Sequence, residues 1–310
     1  MHDQQYSPLR YPGGKASLYG FLKSILASNK IIDGIYAEAF AGGGGAALNL
    51  LMQEDVYEIY LNDRDELIYK FWKSILNQTD DFLRLIFDTK ITIEEWKYRK
   101  NILTNRVLQN ELSDVELAFT MFFLNRTNRS GILKAGVIGG NAQTGNWKID
   151  ARFNKKDLSK RIEKISLYKD RIHLSCKDAI SFLHYIDDKK ISKEKLFIYL
   201  DPPYVNQGKE LYRYFFKTDE HTQLSKYLQK KEKSVWVLSY DDHPLIHDIY
   251  REVEKNVFEF NYFANRTKIG RELIITSKNC DLPPFFLEYS KESNPNTNPN
   301  TNNEQLGEAI

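Results

Sequence analysis

The tetrapeptide Asp201-Pro202-Pro203-Tyr204 directly follows the apolar run Leu196 to Leu200. These four residues suit one kind of chemistry. An exocyclic amine on an aromatic base is a poor nucleophile, because its lone pair is delocalised into the ring. The Asp201 carboxylate can accept one N–H of such an amine, and a main-chain carbonyl of the same turn, best that of Pro202, can accept the other. Together they draw the nitrogen toward sp³ geometry and aim its lone pair at an electrophilic methyl group. Pro202 and Pro203 fix φ and stiffen the turn that carries both acceptors. Tyr204 offers a ring on which a base can stack once it leaves its duplex. If the methyl donor is a sulfonium, the leaving group is a neutral thioether, and the reaction requires neither a metal nor a covalent enzyme intermediate.

A second pattern lies near the N-terminus. The run Ile35 to Phe40 ends in Ala41-Gly42-Gly43-Gly44-Gly45, and a helical stretch from Ala46 to Gln53 follows. Glycine lets a ligand approach the backbone closely, and ligands of open α/β sheets bind at the carboxyl ends of strands. Asp63 closes the next predicted strand, Tyr57 to Leu61, where a carboxylate can accept both hydroxyls of a ribose. Any adenosine cofactor would fit. Gly42-x-Gly44-x-x-Ala47 even satisfies the loose dinucleotide pattern, so this loop alone leaves NAD open.

The elements that must position these residues alternate along the chain. Further strands are predicted at Arg171–Leu174, Leu196–Leu200, Ser234–Ser239, Phe258–Phe263 and Glu272–Thr276. Helices are predicted at Asp65–Asn77, Leu158–Leu167, Asp219–Lys230 and Pro244–Glu252. This order implies an α/β fold with a mostly parallel, Rossmann-like sheet, helices on both faces and an antiparallel hairpin at the edge. Between the second and third strands, Thr79 to Leu124 reads as helical, with polar faces and few turn residues. Asn125 to Asn154, with five glycines, reads as a long irregular loop, which in a compact domain is usually functional. The expected division is a discontinuous catalytic domain, residues 1–77 and 158–288, with a helical and loop insertion, 78–157. The Asn-, Pro- and Thr-rich tail, 289–310, lacks the apolar content to fold.

Composition narrows the class. No apolar run approaches the ~18 residues that cross a bilayer. The N-terminus has no signal-peptide core, and Cys176 and Cys280 stand far apart, as suits a reducing cytoplasm. His243 and His247 are spaced i, i+4 but lack an obvious third ligand, so no metal is expected. The formal net charge is +2, yet Phe122 to Lys177 holds 13 Lys and Arg against 4 Asp and Glu. Such a basic segment in a near-neutral chain is the footprint of a polyanion-binding surface.

With these segments placed, the chain resembles the Dam-type DNA adenine-N6 methyltransferases. The resemblance is carried by Arg10-Tyr-Pro-Gly-Gly-Lys15, Glu38-Ala-Phe-Ala-Gly-Gly-Gly-Gly45, Asn62-Asp-Arg-Asp65, Phe123-x-x-Arg126-Thr with Ser130-Gly131, and Asp201-Pro-Pro-Tyr204, over residues 7 to 280. It implies a Rossmann-like methyltransferase sheet, S-adenosylmethionine as methyl donor, and an inserted target-recognition region. It also implies that Tyr11 and Lys15 contact the methionine part of the cofactor, and that Glu38, Phe40, Gly42 and Gly44 line its loop. Asp63 would bind the ribose, Asp178 would lie near the adenine, and Asp201 would serve both cofactor and target. The family often has tryptophan where Tyr11 stands; an aromatic ring is kept.

The implied reaction is methylation of N6 of a flipped adenine in double-stranded DNA by a monomer or weak dimer, with a restriction endonuclease as a functional companion. Cytosine N4, RNA or a protein amide remain open on the same scaffold. More remote are an NAD-dependent oxidoreductase, in which Asp-Pro-Pro-Tyr has no role, and a non-catalytic DNA-binding regulator. In the insertion, Asn125, Arg126, Asn128 and Arg129 are expected to reach base edges or phosphates, beside Ser130. Lys134, Lys148 and Arg152 are expected on phosphates, and Gly136, Gly139 and Gly140 would let a loop enter a groove.

Overall fold

The computed structural model describes residues 6–11, 18–205, 216–230, 234–253, 255–264 and 266–283, with backbone alone for 256–264 and 266–271. Seven strands form one sheet: β1 Gly34–Glu38, β2 Val56–Asn62, β3 Ile172–Ser175, β4 Leu196–Leu200, β5 Val235–Asp241, β6 Lys255–Ala264 and β7 Arg266–Thr276. Their order across the sheet is β3-β2-β1-β4-β5-β7-β6. The first five run parallel, while β7 is antiparallel to both β5 and β6. All five residues of β4 are buried, as a strand covered on both faces requires. The edge pair is longer than its apolar segments predict, because its register runs unbroken from Lys255–Ile275 to Ala264–Arg266.

This order creates the crevice. The chain winds outward from β1 to β3, then returns to place β4 on the other side of β1. The direction of winding reverses between β1 and β4, and in open α/β sheets such a switch point is where a ligand crevice forms at the carboxyl ends of the strands.

Helices α1 (Tyr19–Ser28) and α2 (Gly45–Met52) precede and follow β1, and alternation along the strands builds two cores. Tyr36, Phe197, Tyr199, Val237 and Ile274 face one way. Ala37, Ile198, Leu200, Trp236, Leu238, Leu273 and Ile275 face the other, against Phe182 and Ile186 of α9 (Ala179–Asp188), Leu224 and Leu228 of a helix at Thr218–Lys230, and Ile246 of one at Pro244–Ile249.

The first core continues into the helices between β2 and β3. These include α3 (Glu66–Asn77), α4 (Thr79–Asp88), α5 (Ile93–Thr104), the short α6 (Arg106–Asn110) and α7 (Asp114–Thr127). After α7 come the loop and α8 (Lys155–Ser166). Phe71, Phe82, Phe119, Phe122, Phe123 and Phe153 pack together, with ring centroids 5.5 to 6.3 Å apart. Helix α7 is buried on nearly every side. It starts at a capping box in which Ser113 and Glu116 satisfy each other's backbone N–H. Polar-faced helices are expected for this stretch, and α7 departs from that: its run Leu117-Ala-Phe-Thr-Met-Phe-Phe-Leu124 has no polar stripe because it forms the axis around which α3, α4 and α5 pack. Among the described residues, no helix is long and apolar enough to cross a membrane.

Candidate active site and nucleic-acid surface

Strands β1 and β4 are in register with Glu38 beside Tyr199, and the Ala39 N–H donates to the Tyr199 carbonyl at 3.2 Å. The glycine loop and the Asp-Pro-Pro-Tyr turn therefore leave neighbouring strands at one level, a strand spacing of about 4.8 Å apart.

In the glycine loop, Gly42 and Gly44 have φ of +46° and +57°, left-handed values that disfavour a side chain. Three side chains clamp the loop. The Gly42 N–H donates to Asp63 Oδ2 at 2.8 Å, Trp72 Nε1 donates to the Gly42 carbonyl at 3.0 Å, and Ser7 Oγ donates to the Gly43 carbonyl. The Tyr11 ring lies directly over Gly42, where a Cβ would come within 2.6 Å of it. Lys15 lies outside the described residues.

Asp63 also accepts the Asp65 N–H on Oδ1 at 2.8 Å. Burial lifts its carboxyl to about 7, against the backbone N–H groups of Asp65 and Gly42, which pull it down. Its neighbour Asn62 was not expected to matter beyond its motif. It is fully enclosed and ties three strand ends together, donating to the carbonyls of Ala39 and Lys177, each at 3.0 Å, and accepting from Ser175 Oγ at 2.7 Å and the Lys177 N–H at 3.0 Å. Asp178 is the N-cap of α9 and accepts the Ser181 N–H at 2.9 Å. Burial opposes its ionisation, but these helix N–H donors hold the carboxyl below the usual range. Phe40 meets Phe216 edge-on at 5.4 Å.

At the end of β4, Ser239 Oγ of β5 donates to Asp201 Oδ1 at 2.9 Å, and the Tyr199 hydroxyl lies 2.9 Å from the same Oγ. Pro202 is buried and Pro203 half-buried. The Tyr204 hydroxyl donates to the buried carboxylate of Glu272 on β7. The Val205 N–H donates to Asp241 Oδ1 at 3.1 Å, and Asp241 pairs with Glu272 across β5 and β7. Tyr36 is buried close to Glu38 and Asp201: burial, then these two charges, raise its hydroxyl well above the ordinary range. Four carboxylates thus stand on adjacent strands: Glu38, Asp201 and Asp241 at the carboxyl ends of β1, β4 and β5, and Glu272 within β7, paired with Asp241. Sequence reading found the first two. The signal for Ser239, Asp241 and Glu272 was present as polar residues at positions whose alternation, Val235-Val237 and Ile274, is otherwise apolar.

On the insertion, two expected base contacts have other tasks. Asn125 is buried; its Oδ1 accepts the Arg10 N–H at 2.8 Å and its Nδ2 donates to the carbonyls of Arg10 and Gly131 at 2.7 and 2.9 Å. Asn128 is wholly enclosed, accepting from Trp96 Nε1 at 2.7 Å and donating to the carbonyls of Ile132 and Leu133. Both amides hold the loop in shape, with no group turned outward. Ser130 (φ +55°), Arg129, Lys134, Lys148 and Arg152 are exposed. Lys148 Nζ caps the Gln143 carbonyl at 2.6 Å, and the Arg152 guanidinium lies 5.7 Å from the ring of Trp147, itself exposed. Arg126 is half-buried and donates to the carbonyls of Arg152 and Pro8. Burial, then Arg10 and Arg161, lower its pKa, a mark of crowded positive charge. Arg10 and Arg161 were missed because they belong to this cluster only through folding.

Residues 11–265 match the family described as D12 class N6 adenine-specific DNA methyltransferase. No curated protein matches the sequence. Among solved structures, one described as a "putative RNA methyltransferase" from Pyrococcus horikoshii matches with 11% identity and a TM-score of 0.37, covering 86% of this chain and 85% of that one.

Proposed function

We propose, from the premise that the chain belongs to the D12 class N6 adenine-specific DNA methyltransferases, that methyl transfer takes place in the crevice between β1 and β4, with Asp201 holding the target amine. The enzyme methylates N6 of adenine in DNA, and its methyl donor is S-adenosylmethionine. The observation that carries the residue assignment is the register of β1 and β4, which brings the glycine loop and the Asp-Pro-Pro-Tyr turn side by side.

The residues present suit the donor. S-adenosylmethionine supplies a methyl group made electrophilic by its sulfonium. Glu38 and Asp201 place negative charge beside the loop, which favours a cation-bearing ligand. The left-handed glycines permit close approach, and Tyr11 and Phe40 offer apolar contact. Asp63 has a second lone pair on each oxygen for a ribose hydroxyl. Asp178 would stand near the adenine, and Lys15 near the methionine carboxylate. On the other side, Asp201 and the Pro202 carbonyl each accept one N–H of the everted adenine. Pro203 stiffens the turn, and the Tyr204 ring provides the stacking surface.

Residues 78–157 serve in this reading as the target-recognition region, with 1–77 and 158–288 as the catalytic domain. Arg126, Arg129, Ser130, Lys134, Lys148 and Arg152 contact double-stranded DNA. The chain works in the cytoplasm, as a monomer or weak dimer, with a restriction endonuclease as its functional companion.

The test is single-molecule sequencing of DNA from a host without adenine methylation, expressing the chain or its Asp201→Ala variant. Modified adenines in one sequence context, absent with Asp201→Ala, are expected. An undiminished signal with Asp201→Ala would overturn the assignment of the acceptor.

A further inference from the structure

Asp201 takes part in a hydrogen-bonded chain that crosses from β4 to β5 and back. Ser239 has a single hydroxyl proton, and it goes to Asp201 Oδ1 at 2.9 Å. An ionised carboxylate can only accept, so Ser239 Oγ must receive rather than give toward Tyr199, 2.9 Å away. The direction is therefore fixed: Tyr199 O–H to Ser239 O–H to Asp201. Tyr199 and Ser239 are both fully buried. Burial, then the charges of Asp201 and Glu272, raise the Tyr199 hydroxyl well above its ordinary range, so it remains a donor wherever the enzyme works. Both strands are central in the sheet and hydrogen-bonded to each other from Phe197–Val235 to Leu200–Leu238, which leaves this chain little freedom to move.

We propose that Ser239 is a positioning residue for the methyl transfer: anchored by Tyr199, it fixes the rotation of the Asp201 carboxylate. A carboxylate with one oxygen tied to the sheet presents the other in a set direction. A misplacement of the order of 1 Å in such a group can cost about a hundredfold in rate. Each donor in the chain polarises the next, which also favours the ionised form of Asp201.

The inference rests on Asp201 being the acceptor of the target amine, and the variants separate the two ideas. Ser239→Ala is expected to lower kcat about 10- to 100-fold, with KM for S-adenosylmethionine and for DNA changed less than about threefold. The acid limb of its kcat profile should move to higher pH, because the lost hydrogen bond had favoured the charged carboxylate. Ser239→Ala also strands the Tyr199 hydroxyl and is expected to melt at a lower temperature. The double variant Ser239→Ala/Tyr199→Phe removes both polar groups, so it should regain melting temperature but not kcat. A double variant that recovers both would reduce Ser239 to a structural role and overturn the proposal. So would a folded Ser239→Ala enzyme with the turnover and acid limb of the parent. If Asp201→Ala itself retains turnover, the acceptor reading fails and the proposal falls with it. If Asp201→Ala is inactive and Ser239→Ala is not, the positioning role alone fails.

Discussion

The phenolic hydroxyl of Tyr204 donates to the carboxylate of Glu272, so the turn that leaves β4 is tied to β7, with β5 between them. Burial, then the charges of Asp201 and Glu272, push the hydroxyl far above its ordinary range and keep it a donor. The ring is thereby held at its far end, and in its proposed role as the stacking surface it is ordered before a base arrives. Without Tyr204, the buried Glu272 loses a donor. Tyr204→Phe keeps the ring but not the bond, and should cost about 1–3 kcal/mol of stability while retaining most base stacking. Tyr204→Ala should lose both, with stacking worth about 1–3 kcal/mol. Denaturant unfolding reads the first effect. The fluorescence of 2-aminopurine placed at the target adenine reads the second.

The carboxyl of Asp63 sits at about 7 in the fold, raised first by burial. A raised carboxyl favours its protonated form in the folded state, so Asp63 costs stability above the ordinary carboxylate range, and that cost grows until the pH passes about 7. Ribose hydroxyls donate to the ionised form. If they bind here, S-adenosylmethionine affinity should climb as pH rises toward 7 and then level off, with a proton released on binding below that point. Asp63→Asn should bind more weakly and show no such dependence. Titration calorimetry at about pH 6, in buffers of different ionisation enthalpy, measures the released proton. No proton release would remove Asp63 from the ribose site.

The fold was legible because its strands announce themselves. Leu196-Phe-Ile-Tyr-Leu200 is apolar at every position and β4 is the strand buried on both faces, while the glycine run and Asp201 mark the two strand ends at the crevice. What could not be read was partnership. Glu272 lies 68 residues after Tyr204, and nothing local indicates that β7 inserts between β5 and β6 to bring them together. The same limit explains Asn125 and Asn128. Their residue type suits adenine edges, but a loop folding back through Arg10 and Gly131 has buried carbonyls of its own to satisfy, and these amides are the nearest donors. Type and spacing single out the groups proposed to face a ligand, and folding alone decides which polar groups face the protein.

That division predicts different outcomes across the basic loop. Asn128→Ala should unfold the loop and cost about 1–3 kcal/mol, because Trp96 Nε1 and two carbonyls lose their partner inside the protein. Lys134→Ala, Lys148→Ala and Arg152→Ala should leave stability within about 0.5 kcal/mol. Each true phosphate contact among them should weaken binding to all DNA sequences alike and reduce the salt slope by about 0.9. Thermal melting and fluorescence anisotropy across a salt series distinguish the groups. Loss of sequence preference in Asn128→Ala, with full stability, would return that residue to base reading.

Gly42→Ala is the sharpest test of the cofactor loop. At φ +46° an alanine pays the left-handed penalty of about 1–2 kcal/mol, and its Cβ would come within 2.6 Å of the Tyr11 ring. Asp63, Trp72 and Ser7 hold the loop backbone from other sides, so Tyr11 is the side that must give way. Displacing that ring should weaken S-adenosylmethionine binding about 10-fold or more, while far-ultraviolet circular dichroism and DNA affinity stay close to those of the parent. Tyr11→Ala should weaken the same binding, and the double variant should be little worse than either alone, since both act on one contact. Additive losses in the double variant would mean that the ring over Gly42 does not touch the cofactor.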